Sequence, residues 1–230
     1  MFMKNKIKIR KARIEDIPQI IEVEKAAWGE ERAATFEMLK SRIKTFPEGT
    51  LVALINEKIV GFVSAQIVNY DLEKNAFTWY EATDNGFITK THNQKGNTLY
   101  GVNLSVHPLY QKKGVGKQLL INVAKLAIKY NLKQGALGGR IPNYYRFGDK
   151  IRVEDYIKID NTKNNVPSDP ELSFYQKCGF KIAKIIPEYF KDPESLNYGV
   201  LLVRKNPFYN KWYRLIVAEI FDLISHLFFP

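Results

Sequence analysis

Residues 98–106, TLYGVNLSV, alternate so that Tyr100, Val102, Leu104 and Val106 fall on one side and Gly101, Asn103 and Ser105 on the other. That period predicts a strand with one face in a core. Pro108 lacks a backbone N–H and ends the ladder. From Val115 the apolar positions recur at Leu119, Val123, Leu126, Ala127 and Tyr130, the stripe of a helix. Strand, glycine-bearing loop and helix therefore follow one another between 98 and 130, and the rest of the chain is read around them.

Upstream, KIKIRKA (6–12) alternates as a strand, and from Glu15 the set Ile17, Ile20, Ile21, Glu24, Ala27 and Trp28 is helical, with Pro18 in the first turn. A short helix is expected over 33–44, stopping before Phe46-Pro47. Residues 50–70 read as two strands around Asn56-Glu57-Lys58, and 71–97 as a polar, glycine-bearing excursion of a length that is usually functional or mobile. Downstream, GALGGRI (135–141) is a further strand, 149–168 an insertion with a helix at 153–159 and a polar turn at 161–165, and 180–187 with 198–204 a closing hairpin. Between them SDPELSFYQKCGF carries a full helix grammar: Ser168 or Asp169 as N-cap, Pro170 first, Glu171 near the positive end, Gly179 at the stop.

The segment after Lys205 has a different pattern. From Trp212 to Phe229 it carries Arg214, Glu219, Asp222 and His226, too many ionisable groups for a comfortable membrane span. Lys211, Arg214, Asp222 and Ser225 share one helical stripe beside a wide apolar face. That face predicts packing on the chain's own domain, contact with a second copy through 208–229, or an in-plane membrane helix. The expected division is one domain over 1–205 and an amphipathic helical tail over 206–230.

Composition narrows the classes. With 230 residues and 45% hydrophobic content the chain suits one sizeable core. Its single cysteine, Cys178, excludes a disulfide framework and a cysteine-based zinc site, and no other metal site is indicated. The N-terminus lacks an apolar run of signal-peptide length, so a cytoplasmic location, peripheral to membrane if the tail binds there, is expected. The formal charge of +11 suits an anionic ligand or a membrane surface; the lysines are scattered, without an arginine-rich stripe, so no nucleic-acid partner is expected.

The chemistry starts at Gln111-Lys112-Lys113-Gly114-Val115-Gly116-Lys117. A helix opening at such a loop offers unpaired N–H groups and the positive end of its dipole, glycines admit a ligand close to the backbone, and the lysines add charge. Together these make a pyrophosphate cradle. Neither the Walker-type nor the dinucleotide glycine loop can be read at this position.

In this order, strand, V-x-P turn, Gln-x-x-Gly-x-Gly and helix, the stretch resembles the acetyl-CoA motif of the GNAT superfamily of N-acetyltransferases. RKARIEDIPQII resembles the opening of many such domains, and Phe174, Tyr175, Lys177, Gly179 and Phe180 match the F/L-Y-x-K-x-G-F motif near their end. Trp79, Glu81, Thr83, Gly86, Thr91, His92 and GGRIPNYYR (138–146) resemble one subgroup whose acetyltransferase-like domain is often fused to a carbon-nitrogen hydrolase. The likeness spans roughly 6–205. It implies a mixed α/β fold, a central twisted sheet flanked by helices in which the 135–141 strand splays from the 98–106 strand, and acetyl-CoA as cosubstrate.

Carried over residue by residue, the resemblance implies a cosubstrate site at Leu104, Ser105, Val106, Gln111, Lys112, Lys113, Gly114, Val115, Gly116 and Lys117, and Tyr175 as general acid. The unperturbed phenol pKa of about 10 is close to that of a thiol leaving group. Many relatives use a strand glutamate as base; this strand has Asn103 instead, which leaves Glu81 and His92, with His107 behind them, or a water chain. Trp79, Arg140, Asn143 and Tyr144 are candidate substrate contacts. The resulting expectation is direct acetyl transfer to a primary amine of a small molecule or protein. Two rival expectations are a CoA-binding or sensor module without turnover, and a membrane-associated acyltransferase or scaffold using the tail.

Overall fold

The computed structural model describes residues 6–72, 77–159 and 169–229. The polar turn expected at 161–165 and the alternative N-cap Ser168 lie outside the described residues. Seven strands form one sheet: β1 (Lys8–Lys11), β2 (Thr50–Ile55), β3 (Lys58–Val68), β4 (Thr98–Val106), β5 (Gln134–Gly139), β6 (Lys181–Ile186) and β7 (Gly199–Lys205), in the order β1-β2-β3-β4-β5-β7-β6. All neighbours are antiparallel except β4 and β5. The fold is the expected mixed α/β arrangement.

The two faces are covered by different helices. On one, α1 (Ile17–Trp28) and α2 (Phe36–Thr45) bring Ile17, Ile20, Val23, Leu39 and Ile43 onto Val52, Ile59 and Phe62. On the other, α4 (Val115–Lys129) seats Val115 and Leu119 against Leu51, Ala53, Val60 and Val63. The alternation of β2 and β3 between the two clusters is the period-two rule of a sheet covered on both sides. The turn between them has Asn56 and Glu57 both at positive φ, the geometry of a tight hairpin turn. In the excursion the chain forms the one-turn helix α3 (Trp79–Thr83), opened by a Thr78–Glu81 capping box.

β4 departs from its expected alternation. Ser64 pairs with Asn103 but Ala65 pairs with Gly101, so Val102 is an extra residue on β4, a β-bulge. One inserted residue reverses the faces. Leu99 and Val102 therefore pack together towards the α4 side, with Ala127 and Leu132, while Tyr100 lies in a separate cluster with Tyr70, Ala136 and Tyr189. The single face predicted for Tyr100, Val102, Leu104 and Val106 is thus split at the bulge.

β4 and β5 pair only from Thr98–Gln134 to Gly101–Leu137. Beyond those pairs β4 continues to Val106 and β5 to Gly139, and the strands separate. The short helix α5 (Val153–Tyr156) and α6 (Pro170–Lys177) cover the β5 side, with Leu172 against Leu137, Ile141, Val200 and Leu202. Asp169 caps α6 by accepting from the backbone of Glu171 and Leu172 at 3.0 and 3.3 Å, a contact of about 1 kcal/mol.

The tail forms α7 (Arg214–Ile224), which packs on α4. Phe221 and Phe229 are buried with Leu120, Ile121, Ile128 and Cys178, and Arg204 lies over the Phe229 ring while donating to the Phe228 carbonyl. The tail shares its core with the sheet. Its outer side still presents Trp212, Ile216, Ile220, Leu223 and Leu227 to solvent. Among the described residues no helix is long and apolar enough to cross a membrane.

Candidate active site

A cavity of ≈1240 Å³ runs through the gap between β4 and β5. Its wall includes Gly116 and Phe174 from the α4–α6 side and Trp28 and Arg42 from the α1–α2 side, so it joins the two faces of the sheet. Such a passage needs two strands that begin paired and then part.

The α4 half is built largely of backbone. Gly114 is the N-cap of α4 at φ 85°, with no side-chain cap and no acidic residue in the first turn, so the leading N–H groups keep free valence toward the cavity. Lys112 is also left-handed, at φ 58°. Gln111 ties the loop back by donating its side-chain amide to the Val106 carbonyl at 3.1 Å. An uncapped helix N-terminus with Lys117 on the same wall fits an anionic phosphate group. Of the predicted cosubstrate residues, Leu104, Val106, Gln111, Lys112, Gly114, Val115, Gly116 and Lys117 line the cavity. Ser105 and Lys113 do not: the first turns to Glu24, and the second lies over the Tyr110 ring at 5.2 Å.

The other half is built of side chains from distant segments. α6 places Glu171 and Tyr175 one turn apart on the cavity wall. Burial, with the charges of Asp169 and Asp192 added, pushes the Glu171 carboxyl up to about 7 against the pull of Arg140. Burial and the neighbouring Glu171 push the Tyr175 phenol upward, so it holds its proton. Arg140 stacks over Trp28 at 5.0 Å and is held by Asp192 at 2.7 and 3.0 Å, Glu194 at 2.6 Å and Glu171 at 3.4 Å. Asp192 also takes Arg32 at 2.8 Å, and the Arg32 pairing joins the loop after α1 to the turn between β6 and β7.

Behind this wall lies a buried polar cluster. Glu24 is fully buried and accepts from Asn103 at 2.9 Å, from the Ala34 N–H at 3.1 Å and from the Ser105 hydroxyl; Ser105 in turn accepts from the Trp28 indole at 2.6 Å. Burial pushes the Glu24 carboxyl up against those hydrogen bonds and the charge of Arg42. Arg42, also fully buried, spends its Nε on the Gly86 carbonyl at 2.6 Å. A Cβ on Gly86 would stand 2.9 Å from Arg42 Nη2 and 2.8 Å from the Trp79 ring, and its φ of +88° independently asks for glycine.

The other predicted residues are placed as follows. Trp79 lines the cavity, its indole donating to the Val102 carbonyl at the bulge at 2.8 Å. Glu81 is outside the cavity and binds the N–H and hydroxyl of Thr78. His92 is also outside; its Nδ1 accepts from the Ile67 N–H at 3.2 Å and its ring stacks on Phe46 at 4.8 Å. His107 caps its own turn through the Leu109 N–H. Asn143 donates its backbone N–H to Asp169, and Tyr144 its hydroxyl to the Ile151 carbonyl, both off the cavity wall. Arg140 is on the wall, but the charge expected to meet a substrate is spent on three carboxylates of the protein.

The sequence reading passed over Glu171, Arg42, Asp192 and the role of Glu24. Glu24 carried a signal, an ionisable residue on the apolar stripe of α1. Glu171 was absorbed by helix grammar. Asp192 and Arg42 had none, because what makes them notable is what lies opposite them.

Comparison with known proteins places this geometry. Residues 47–182 match the family model described as an acetyltransferase (GNAT) domain. An uncharacterized N-acetyltransferase, YkwB, of Bacillus subtilis (strain 168) is 45% identical over 177 residues, 76% of each chain. The probable hydrolase YhcX of the same organism is 34% identical over 202 residues, which are 87% of this chain but 39% of that one. Among solved structures, the GphF GNAT-like decarboxylase in complex with isobutyryl-CoA superposes with a TM-score of 0.74 at 25% identity, covering 86% of this chain and 98% of that one.

Proposed function

Since this chain belongs to the GNAT acetyltransferase family, we propose that it moves an acetyl group from acetyl-CoA directly to a primary amine bound on the α1–α2 side of the β4–β5 gap. The observation that carries this reading is the passage itself: a phosphate-type cradle at the head of α4 and, further along the wall on α6, a carboxyl of pKa about 7 beside a protonated phenol.

In this reading the amine arrives as an ammonium, and Glu171 as carboxylate removes its proton. A base poised near 7 is ionised in a good fraction of molecules at neutral pH and still strong enough to act. The nitrogen lone pair attacks the thioester carbonyl carbon, aligned along the edge of β4 that β5 no longer pairs. Glu171 passes that first proton to solvent; as the C–N bond forms and the C–S bond breaks, the nitrogen's second proton goes to the Glu171 carboxylate and Tyr175 gives its own to the departing sulfur. Glu171 then returns a proton to Tyr175 through water, restoring both, with one proton released overall for each ammonium acetylated. Arg140 keeps the Glu171 carboxylate from rotating away, and Trp28 under Arg140 excludes water. Burial pushes both groups upward, which leaves the carboxyl poised near neutrality and the phenol protonated, so at one pH the first can accept a proton while the second gives one. Cys178 is buried with its thiol pushed up by burial, which argues against an acyl-thioenzyme.

A second reading follows from one observation, the structural likeness to a protein named as a GNAT-like decarboxylase. Here the cavity would take an acyl-CoA with a carboxylate on its acyl group, whose C–C bond breaks to release carbon dioxide and leave a carbanion for Tyr175 to protonate.

The first test is calorimetric titration of acetyl-CoA and CoA into the full chain and into Gly114→Glu, followed by thiol release across a panel of amines. Micromolar binding lost in the variant, with amine-dependent thiol release, is the expected result. No binding to the wild-type chain would remove the cosubstrate from the proposal. Carbon dioxide release from malonyl-CoA without any amine would replace the first reading by the second.

A further inference from the structure

Three arginines stand on the acceptor side of the cavity: Arg32, Arg42 and Arg140. Two are neutralised within the protein. Arg140 faces Asp192, Glu194 and Glu171, and Arg32 faces Asp192. Arg42 is different: it is fully buried, it forms part of the cavity wall beside Met38 and Trp79, and both its Nη1 and Nη2 lack any hydrogen-bond partner among the described residues.

A guanidinium offers five N–H groups in a planar fork, and its terminal pair matches the two oxygens of a carboxylate. Leaving buried charged donors unmade costs more than the bonds would contribute. The charge of Glu24 is felt at Arg42, but its three hydrogen bonds go elsewhere: one oxygen takes Ser105, the other both Asn103 and the Ala34 N–H. Glu24 lowers the cost of holding a cation there without occupying the fork. Its anchoring on Gly86 leaves the Arg42 head little freedom to turn elsewhere, since Nε is fixed at 2.6 Å. The result is a buried, preoriented cationic fork behind the cavity lining, with no hydrogen-bonded anion on its end among the described residues; its end nitrogens carry almost no accessible surface, so a ligand reaches them where the neighbouring Met38 and Trp79 side chains give way.

We propose that Arg42 is a carboxylate receptor: the molecule that reacts in this cavity carries a carboxylate, held by Nη1 and Nη2 of Arg42 in a two-point contact. Resting on the acyl-CoA reading above, this names the substrate class as a carboxylate-bearing amine, such as an amino acid. In the decarboxylase reading the same fork would hold the carboxylate of the acyl group. The chemistry recognised is the same, and the source is decided by experiment.

The test uses matched pairs on the full chain. Amino acids are compared with their decarboxylated amines as acceptors for acetyl-CoA by thiol release, and malonyl-CoA with acetyl-CoA by calorimetry, in wild type, Arg42→Lys and Arg42→Met. Thermal unfolding with succinate against succinamide is read in parallel and needs no coenzyme. The expected result is at least a tenfold higher kcat/KM for the carboxylate member of the acceptor pair, reduced in Arg42→Lys and abolished in Arg42→Met. Retained acetyl-CoA binding in the variants shows that the fold has survived. A preference found instead between the two acyl-CoAs, and lost in the same variants, assigns the carboxylate to the acyl chain and also supports the receptor. If the wild type binds acetyl-CoA yet shows no preference in either pair and no succinate-dependent rise in Tm, the proposal is overturned. If it binds neither acyl-CoA, the catalytic reading falls, and the succinate shift with its dependence on Arg42 alone decides for or against the receptor.

Discussion

The two halves of the cavity are made by opposite means. The α4 half is contiguous in sequence, built from the backbone of a loop and one helix terminus, and depends on conformation more than on side-chain identity. The acceptor half is assembled from α1, α2, the β6–β7 turn and α6, and depends on particular charges facing one another across many residues. A backbone site suits a cosubstrate that is the same for every member of a family. A side-chain site can be remade for each acceptor by changing two or three residues, while the sheet beneath it stays as it is.

If that division is right, substitutions in the two halves should separate kcat from cosubstrate affinity. The largest effect is expected at Glu171. Glu171→Gln should lower kcat by about 10³-fold, within the range for removal of a general base, with acetyl-CoA affinity unmoved in calorimetry. Because the carboxyl must be ionised to act, wild-type kcat/KM should rise with pH through about 7, and that limb should vanish in the variant. A limb that persists would place the base elsewhere.

Tyr175→Phe should cost about 10²-fold in kcat while binding both substrates. A merely structural tyrosine would instead leave kcat intact and lower Tm, which separates the roles.

In the other half, Gly114→Glu should weaken acetyl-CoA about tenfold or more, since a side chain at φ 85° costs roughly 1–2 kcal/mol and the new carboxylate repels phosphate. Equal loss for a free amine acceptor would blur the division.

The smallest effect is expected where α7 meets α4. Lys125 and Asp222 pair at 2.6 Å, but the Asp222 side chain is 61% exposed, so Lys125→Ala should change stability by no more than about 0.5 kcal/mol in chemical denaturation. A larger loss would mean that the tail contributes to the cradle through charge as well as through Phe221.

The same division explains what could be read from the sequence. The strand, loop and helix of 98–130 announced themselves because periodicity, glycine position and helix-start chemistry are local signals. The fold, with the parting of β4 from β5, followed from the family resemblance those signals carry; the tail's apolar face was read with three possible partners, and part of it packs on the chain's own domain. The acceptor half was poorly legible. Glu81 and His92 looked available as catalytic groups, but one caps α3 and the other is held by the Ile67 backbone. Arg140 looked like a substrate contact, and three carboxylates that no local pattern connects to it have taken its charge. Arg42 stood in an ordinary amphipathic helix, and only the third dimension reveals what its fork is missing. The bulge at Val102 left no mark either, since Tyr100, Val102, Leu104 and Val106 alternate just as the residues of a regular strand do.

That extra residue also makes β4 an element whose length carries parity. Up to Gly101 the strand keeps step with β5; after Val102 the same chain has changed step, and Leu104 and Val106 face α4 while Asn103 and Ser105 face Glu24. A single deletion between 98 and 102 can be absorbed by losing the bulge: without Val102, Gly101 stands opposite Ala65 and Asn103 opposite Ser64 in an unbroken ladder, and both sets keep their faces. What goes is the Val102 carbonyl that the Trp79 indole binds. An added residue has no such slack to draw on and exchanges the faces on one side of it. Length variants here should therefore be asymmetric, the strand giving up a residue more readily than it accepts one.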